Sequence, residues 1–389
     1  MTPSVIITQG GDPYKNTMSA LEALSLPTLR GKRILLKPNA GRLVPARQGI
    51  TTHPHVIAAA IDFFQQLEPA EIFLGESPIL GVNALEALEK AEMAKIARSR
   101  GVVLVDLDER PPFELLIPDG KLLQKLRVCA FIQEVDFLVS IPVMKTHMHT
   151  GVSLSIKNLK GVLWRREKAR LHQLEYPHLK EGEGKALDVA IADMARVLRP
   201  DLALIDGTVG LEGLGPSEGS PKEVGLIVAS QDCLAADSVA TYLMGFEPAS
   251  IPHLRMIHED GTGEIDLNRM NITPGDYPRF RQSFSPPPKE ISIQYPNVIV
   301  LDENSCSACL STILLFLRRF LSQVPPSVFQ EGKLILAIGK ELRHPPPGTI
   351  FIGNCTARHK ETGIYIPGCP PIASDILSRL WDGREPQNE

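Results

Sequence analysis

The chain alternates short apolar runs with stretches whose apolar positions recur at helical spacing. The runs are uninterrupted, which favours strands buried on both faces, as in a parallel sheet covered by helices. Predicted strands are residues 5–7, 33–37, 71–75, 102–105, 136–141, 202–206 and 224–229. Predicted helices are residues 15–25, 54–67, 83–98, 185–198 and 232–244. The pattern therefore predicts an α/β fold.

Two segments interrupt this alternation. Residues 113–117 and 122–128 flank a Pro-Asp-Gly sequence, and this arrangement predicts a hairpin inserted in the sheet. A long polar loop is predicted between strand 136–141 and helix 185–198. The large domain is thus expected to be a mostly parallel sheet with helices on both faces.

The hydrophobic pattern lapses between residues 260 and 296, a stretch that includes three consecutive prolines. Such a stretch is typical of a linker or extended connection. The predicted division is a large domain at 1–260, a linker at 261–296 and a small α/β domain at 297–389. In the small domain the predicted strands are 297–301, 333–338, 349–353 and 364–366, and the predicted helices are 310–322 and 373–380.

Composition excludes several classes of protein. The 389 residues carry 41 Lys and Arg against 45 Asp and Glu, a formal charge of −4, so no overall positive field favours nucleic-acid binding. No apolar stretch approaches the roughly 18 to 20 residues of a membrane span, and the N-terminus lacks a basic leader. We therefore expect a cytoplasmic protein with no membrane or nucleic-acid partner. The sequence leaves its oligomeric state open.

Four of the six cysteines fall in the small domain. Cys306 and Cys309 are two residues apart, so one loop can present two thiolates to one centre, and Cys355 and Cys369 would complete four-sulfur ligation. Cys306, Cys355 and Cys369 each follow an apolar run, and parallel strands end at a common edge. The sequence therefore predicts a metal centre at this edge. An iron–sulfur cluster is favoured, with structural zinc or four ordinary buried cysteines as alternatives.

A cationic segment follows strand 136–141. Residues 145–180 contain eight Lys or Arg and two Glu, a local balance of +6 in an acidic chain. Part of this charge, at 165–180, is typical of a solvated surface. The residues nearest the strand predict an anion-binding site, because ammonium and amide groups at strand ends hold phosphate or carboxylate. They are Lys145, His147, Lys157, Asn158 and Lys160.

Other strand ends carry polar residues that outline the same crevice. We predict ligand binding by Lys37, Asn39, Thr51, Thr52, Lys157, Asn158, Lys160 and Glu212, and catalytic roles for Lys145, His147, Glu76 and Asp206. The three acidic groups among them suit acid/base chemistry or a divalent ion, while ordinary caps and turns explain each position nearly as well.

These strand-end segments resemble the family known as domain of unknown function 362. The features that carry the resemblance are residues 37–39, 51–54, 75–78, 142–147, 155–161, 206–207, 213–216 and 232–237, within about residues 1–260. The resemblance implies an α/β core, and many members of the family carry iron–sulfur modules. Those members use a compact ferredoxin run, whereas this chain has four dispersed cysteines. The wide spacing and the Gly-Cys-Pro-Pro end are similar to the cluster site of hydrogenase small subunits and the related complex I subunit.

These observations predict an iron–sulfur protein with one cluster, [4Fe–4S], and a bound anionic small molecule. A redox or electron-transfer role, as an oxidoreductase, would also imply a redox partner protein. Two other classes stay open: a non-redox transferase, isomerase or lyase with a structural metal, and an accessory protein that senses or delivers a cluster. Dinucleotide or ATP use has no motif support, since the sequence has neither a Gly-x-Gly-x-x-Gly after the first strand nor a P-loop.

Overall fold

The computed structural model describes residues 2–180, 182–287, 295–303 and 305–382. The chain divides into two compact units. The large unit comprises Met1–Leu171 and Tyr176–Pro287, and the small unit comprises His172–Glu175 and Pro288–Glu389. Each unit has its own sheet.

The large unit alternates strands with helices, as the apolar pattern predicts. Its strands are β1 Ser4–Gln9, β2 Arg33–Pro38, β3 Glu71–Glu76, β4 Val103–Asp106, β5 Phe113–Leu116, β6 Lys125–Val128, β7 Phe137–Ile141, β8 Val143–His147, β9 Gly151–Ser153, β10 Leu202–Glu212, β11 Ser220–Ser230 and β12 Asn271–Thr273. Its helices are α1 Pro13–Glu22, α2 Pro54–Gln65, α3 Ala84–Lys90, α4 Met93–Ser99, α5 Ser155–Asn158, α6 Glu167–Arg170, α7 Ala186–Val197, α8 Cys233–Leu243 and α9 Pro252–Glu259.

The main sheet of the large unit runs in the order β12-β1-β11-β10-β7-β2-β3-β4, with β8 paired to β10 and β9 to β8. Strands β10, β7, β2, β3 and β4 are parallel to one another, and β11 is antiparallel to its two neighbours. The expectation of a mostly parallel sheet is confirmed. The carboxyl ends of β2, β3, β7 and β10 therefore lie along one edge.

Helices cover both faces of this sheet. Because successive side chains of a strand point to opposite faces, Ile34 and Leu36 of β2 join one apolar cluster with Leu21 of α1 and Ile57 of α2. Leu35 lies between them in the strand and is equally buried. Helices α5 and α8 pack against β7, β10 and β11, on the side that this cluster does not occupy.

The structure differs from the predicted elements in the region after β4. The helix predicted at 83–98 is two helices, α3 and α4, separated at Glu92, which has a φ of 62°. The hairpin β5–β6 forms its own two-stranded sheet and is not inserted in the main one. Its turn is held by Asp193 of α7, which accepts hydrogen bonds from three backbone N–H groups at residues 121–123.

The long loop predicted after residue 141 is largely ordered structure. Pro142 has no N–H, so the run of residues 137–147 is divided into β7 and β8, and both halves pair with β10. Strand β9 and the short helices α5 and α6 follow. The polar composition concealed these elements because their polar side chains are buried in the unit rather than exposed to water.

Part of the predicted linker packs on the large unit. Strand β12 pairs with β1, and Phe280 and Phe284 are buried. These contacts correct the expectation for residues 261–287, where a three-residue strand and isolated aromatics produce no periodic pattern. Residues 288–294 of the predicted linker lie outside the described residues.

The small unit is also α/β. Its strands are β13 Val298–Glu303, β14 Leu334–Gly339, β15 Ile350–Ile352 and β16 Tyr365–Ile366, and its helices are α10 Ser307–Phe320 and α11 Ala373–Asp382. The four strands are parallel in chain order. Phe316 of α10 and Ile376 of α11 pack with Leu336 and Ile352 in one apolar core. The prediction of a small α/β unit is confirmed.

Across the described part of the chain, no helix is both long enough and apolar enough to cross a membrane.

Candidate functional site

A buried ion pair joins the carboxyl ends of β2 and β3. Lys37 Nζ lies 2.7 Å from Glu76 Oε2, and both side chains are almost fully buried. Lys37 Nζ also donates to Pro38 O at 2.6 Å and to Asn158 Oδ1 at 3.1 Å. Burial lowers the pKa of Lys37, and the charge of Glu76 partly opposes this effect. All three N–H groups of the ammonium are thus used inside the protein, and its predicted role in ligand binding stays a prediction.

The Glu76 carboxylate is saturated with donors. Its Oε2 also accepts from the backbone N–H of Ala40 at 2.9 Å, and its Oε1 accepts from the N–H of Ser77 at 3.0 Å. A buried charge is tolerated when it is paired and hydrogen-bonded in this way. In this arrangement Glu76 is a counter-charge for Lys37.

Gly161 packs directly against this pair. A Cβ built on Gly161 would lie 2.5 Å from Lys37 Cε and closer still to Glu76 Oε1. The Gly161 carbonyl also accepts from the N–H of Ser77 at 3.1 Å. Glycine at position 161, directly after Lys160, is therefore required by the space that the ion pair occupies.

Two amide side chains connect Lys37 to Lys145. Asn158 Oδ1 accepts from Lys37 Nζ and, at 3.2 Å, from Asn39 Nδ2. Asn39 Oδ1 in turn accepts from Lys145 Nζ. Asn158 Nδ2 donates to Lys37 O at 3.2 Å and to Ser140 Oγ at 3.1 Å. A continuous hydrogen-bond network therefore links strand ends that are more than 100 residues apart in sequence.

Lys145 lies in β8 and is buried, with 4% of its surface exposed. Besides Asn39, its ammonium donates to the carbonyl of Ile50. Burial lowers the pKa of Lys145 to about 7, assisted by the positive charges of Arg42, Lys157 and Lys37 and opposed by Asp206. A bound anion would relieve this repulsion.

The segment before α2 contributes backbone and hydroxyl groups to the same edge. Thr52 Oγ1 donates to Ile141 O at 2.6 Å and accepts from Asn39 N at 2.7 Å. Thr51 Oγ1 is buried and has no hydrogen-bond partner among the described residues. An unsatisfied buried hydroxyl costs free energy, so Thr51 is a candidate contact for a ligand.

Asp206, at the edge in β10, is held by this segment. Its Oδ2 accepts from His53 N at 2.6 Å, and its Oδ1 accepts from Thr208 N at 2.9 Å and Thr208 Oγ1 at 2.6 Å. Burial raises the pKa of Asp206 even though these hydrogen bonds lower it. Burial also lowers the pKa of His53 to about 4, assisted by the charges of His55 and Arg47.

Asp237, which the strand-end argument missed, fixes the start of α5. Its carboxylate accepts from Ser155 N at 2.8 Å, from Ser155 Oγ and from Ile156 N at 3.1 Å. Burial raises the pKa of Asp237 to about 7, against the effect of these hydrogen bonds. The sequence signals are its place in the family-like segment 232–237 and its position as an acidic residue on a mostly apolar helix, since carboxylates are seldom buried without a partner.

Lys157 and Lys160 complete a group of four buried lysines with Lys37 and Lys145. Burial lowers the pKa of Lys157 to about 7, opposed by Asp188. Burial also lowers the pKa of Lys160 well below its usual value, and the charges of Lys157 and Lys168 add to the effect. We call Lys37, Lys145, Lys157 and Lys160 the lysine cluster.

Two of the predicted site residues, Glu212 and His147, form hydrogen bonds with other parts of the large unit. Glu212 Oε2 lies 3.1 Å from Lys222 Nζ and accepts from Ser285 N at 2.9 Å, so its carboxylate is engaged with the far end of the β10–β11 hairpin. His147, buried at the end of β8, accepts through Nδ1 from the N–H of His149 at 3.1 Å. The predicted roles of Glu212 and His147 stay predictions.

An open groove of about 620 Å³ lies beside the carboxyl ends of β3 and β4. Asp108, in its lining, accepts from Ser77 Oγ at 2.6 Å and pairs with Lys168 Nζ at 3.5 Å. Ser77 directly follows Glu76, so the groove adjoins the region of the lysine cluster. Its lining includes Ile79 and Leu80, both exposed.

The four cysteines of the small unit come from loops that meet at one edge of its sheet. Cys306 caps α10, Cys309 lies in its first turn, and Cys355 and Cys369 follow β15 and β16. Asn354 N donates to Gly368 O at 2.9 Å, and Gly368 N donates to Asn354 Oδ1 at 2.8 Å, which joins the loops of Cys355 and Cys369.

Gly353 lies between Cys309, in the first turn of α10, and the loop that carries Cys369. A Cβ at Gly353 would lie 3.2 Å from Cys309 Sγ and 3.6 Å from Gly368 O, and the residue has a φ of 92°. Both the space and the backbone conformation therefore require glycine.

The thiols influence one another strongly. A hydrogen bond with Cys309 lowers the pKa of Cys306 to about 6, helped by backbone N–H groups of α10 and by Lys340. The same hydrogen bond, burial and the charges of Cys306, Cys355 and Cys369 raise the pKa of Cys309. Burial is the main cause that raises the pKa of Cys355. The four sulfurs thus form one electrostatic group.

In the described ranges, no group of three or more His, Cys, Asp or Glu side chains converges closely enough to hold a single metal ion. The two remaining cysteines, Cys129 and Cys233, are buried in the large unit. Burial raises the pKa of Cys129 to about 12 and also raises that of Cys233, as expected for core thiols.

A family match covers the lysine cluster but not the four cysteines of the small unit. The family described as Domain of unknown function (DUF362) matches residues 34–242. The thylakoid-associated protein sll1697 of Synechocystis sp. is 30% identical over 225 residues, which are 57% of this chain and 66% of the relative, so the match spans just under two thirds of that protein.

Two solved structures show limited similarity. The lactate racemase apoprotein from Thermoanaerobacterium thermosaccharolyticum is 16% identical, with a TM-score of 0.42 over 61% of this chain and 57% of that one. A Thermotoga maritima protein solved by a structural genomics consortium is 14% identical, with a TM-score of 0.35 over 60% of each chain.

We expect Gly161→Ala to destabilise the large unit by about 1–3 kcal/mol, because the added methyl group must displace the Lys37–Glu76 pair. Urea unfolding measures the change in the free energy of unfolding. Gly41→Ala is the matched control, since a Cβ at Gly41 meets nothing within 4 Å. Equal effects of the two substitutions would show that the space at Gly161 is not constrained.

We expect Lys145→Met to alter the dependence of thermal stability on pH. The pKa of Lys145 falls to about 7 on folding, so above that pH the unfolded chain binds more protons and stability rises with pH, by up to about 1.4 kcal/mol per pH unit. From about pH 7 to about pH 8.5, below the titration of most thiols, the melting temperature of the wild type should rise relative to that of the variant. Lys125→Met, at an exposed ion pair, should run parallel to the wild type. A parallel profile for Lys145→Met would contradict the prediction.

Proposed function

Because the chain belongs to the family described as Domain of unknown function (DUF362), whose description specifies no reaction, we propose a function from its side chains. The protein is an iron–sulfur protein with a redox or electron-transfer role and a bound anionic small molecule. The small unit holds one [4Fe–4S] cluster, and the lysine cluster of the large unit holds the anion. The observation that carries the proposal is the meeting of the four cysteine loops around Gly353.

The cysteine set suits an iron–sulfur cluster. Iron is ligated by thiolates, and the pKa of about 6 for Cys306 makes this thiol ionised at neutral pH. The mutual repulsion that raises the pKa of Cys309 would be removed by a shared cationic centre. The ligands of a four-iron cluster bind four different irons, so they need not converge on one point as the ligands of zinc do. Such a cluster supplies single-electron transfer when it is bound.

The lysine cluster suits an anion. Lys37 is paired with the Glu76 carboxylate at 2.7 Å, whereas the ammonium of Lys145 donates to two neutral oxygens. Lys145 Nζ retains a third N–H beyond its bonds to Asn39 and Ile50, and Thr51 offers an unused hydroxyl. A carboxylate or phosphate would satisfy these donors and offset the positive charge.

A cytoplasmic location and a redox partner protein form part of the same proposal. Reducing compartments keep free thiols available for metal binding. An iron–sulfur cluster passes single electrons, and a redox partner protein would exchange them with the small unit.

Anaerobic reconstitution of the full chain with ferrous iron and sulfide should yield broad visible absorption and the iron-to-sulfide stoichiometry of [4Fe–4S]. Cys306→Ser and Cys355→Ser should each lower the bound iron strongly, because each removes one thiolate ligand. Cys233→Ala, in the core of the large unit, is the control and should retain the cluster. Zinc bound in place of iron, or equal iron loss in the control, would refute the iron–sulfur assignment.

Titration calorimetry with inorganic phosphate and with pyruvate should detect an anion site in the large unit. Lys145→Met should weaken the bound anion by about tenfold, the equivalent of about 1.4 kcal/mol. Lys125→Met, on the β5–β6 hairpin, should leave the affinity unchanged. Loss of affinity in both variants, or in neither, would contradict a specific site at the lysine cluster.

A further inference from the structure

Lys157 is held rigidly between two fixed neighbours. Before it, the N–H groups of Ser155 and Ile156 donate to Asp237 at 2.8 and 3.1 Å. After it, the side chain of Asn158 bonds to Lys37 and Ser140 in the network described above. The backbone on both sides is therefore anchored to β2, β7 and α8. A side chain carried by such an anchored turn has a defined position.

The ammonium of Lys157 differs from those of Lys37 and Lys145. Lys157 has 8% of its surface exposed, and within the described ranges its Nζ has no hydrogen bond and no ion pair within 4 Å. The nearest influence of opposite charge is Asp188. That carboxylate is already engaged, since it accepts from Lys185 N at 2.9 Å and lies 3.3 Å from His253 Nδ1.

The Lys157 ammonium is nearly buried but not sealed from solvent, and it makes no hydrogen bond with the described residues, so it is open to a ligand. The charge of Lys157 acts on both Lys145 and Lys160, so the group has cationic neighbours. Burial and cationic neighbours are the two conditions that convert a lysine into a nucleophile. With a pKa of about 7 for Lys157, about half of the molecules hold it as a neutral amine at neutral pH.

We propose that Lys157 forms an imine with a carbonyl compound that also carries a carboxylate or phosphate group. The Lys157 nitrogen attacks the carbonyl carbon, a C–N bond forms and the carbonyl oxygen takes up a proton. Loss of this oxygen as water leaves the C=N bond, so the step needs no oxidant or reductant. The anionic group binds at Lys145, whose ammonium donates to Asn39 and Ile50 and lies near enough to Lys157 for their charges to interact. This inference rests on the anion site proposed above and extends it to a substrate class.

The test is reductive trapping on the full chain. The protein is treated with pyruvate, or in a second arm with glycolaldehyde phosphate, and then with borohydride, which converts an imine to a stable amine. Intact mass measures the adduct, and peptide mapping of the wild type locates it, so the result does not depend on a variant that folds. Adduct at Lys157 in either arm supports the inference, and the arm that reacts shows which anionic group is preferred.

The variants sharpen this result. Lys157→Arg retains the positive charge and should reduce the adduct at least tenfold, whereas Lys125→Met should leave it unchanged. The rate of trapping should rise around pH 7, because burial lowers the pKa of Lys157 to about 7 against the opposing charge of Asp188. Lys160, Asp206 and Asp237 are the other charged groups on the elements packed against α5 that the test must consider. Trapping at an exposed lysine would instead keep rising towards pH 10.

Two outcomes would overturn the inference. One is the absence of adduct with both carbonyl compounds, and the other is adduct spread over exposed lysines and unchanged in Lys157→Arg. If calorimetry still shows phosphate or pyruvate bound at the lysine cluster, the anion site stands and only the imine is refuted. If neither binding nor trapping is found, both the anion site and the imine are wrong.

Discussion

The removal of several ammonium groups from water is the constraint on which the large unit depends. A buried charge is costly unless a partner and hydrogen bonds replace its hydration. Lys37 meets this requirement in full through Glu76, Asn158 and Pro38. That solution joins the carboxyl ends of β2 and β3, excludes a side chain at Gly161 and orients Asn158. The local architecture of the site follows from the satisfaction of one lysine.

Lys145 and Lys157 are not paired with a carboxylate of the described residues in the way that Lys37 is paired with Glu76. Lys145 donates to two neutral oxygens and lies near other cations, and Lys157 has an anchored backbone but no hydrogen bond with any residue that the structure describes. The chain thus satisfies Lys37 completely, while burial lowers the pKa of Lys145 and Lys157 to about 7 in the same region. Unfavourable electrostatics retained in a folded protein tend to mark functional sites.

The sequence predicts this edge through strand ends, because a buried parallel strand must present its following residues at the carboxyl edge of the sheet. Lys37, Glu76, Lys145 and Asp206 lie at this edge for that reason. Asp237 escaped prediction because its effect on α5 depends on a contact 82 residues away in the chain. Strand β8 was not predicted because Pro142 ends the apolar run before it. Its pairing with β10 is a contact between distant parts of the chain, which the local pattern of apolar residues does not reveal. For Glu212, position alone suggests a place in the crevice, but its carboxylate pairs with Lys222 and accepts a hydrogen bond from Ser285.

The two units lower the pKa of their reactive groups by different electrostatic effects. In the large unit, burial lowers the pKa of Lys145 and Lys157 to about 7, assisted at Lys145 by neighbouring positive charges, which yields neutral amines. In the small unit, a hydrogen bond from a neighbouring thiol lowers the pKa of Cys306 to about 6, which yields a thiolate. Both groups thereby expose a lone pair near neutral pH, one suited to carbon and the other to iron. Parallel strands supply the common condition, because their carboxyl ends gather such groups from distant parts of the chain while their cores remain apolar.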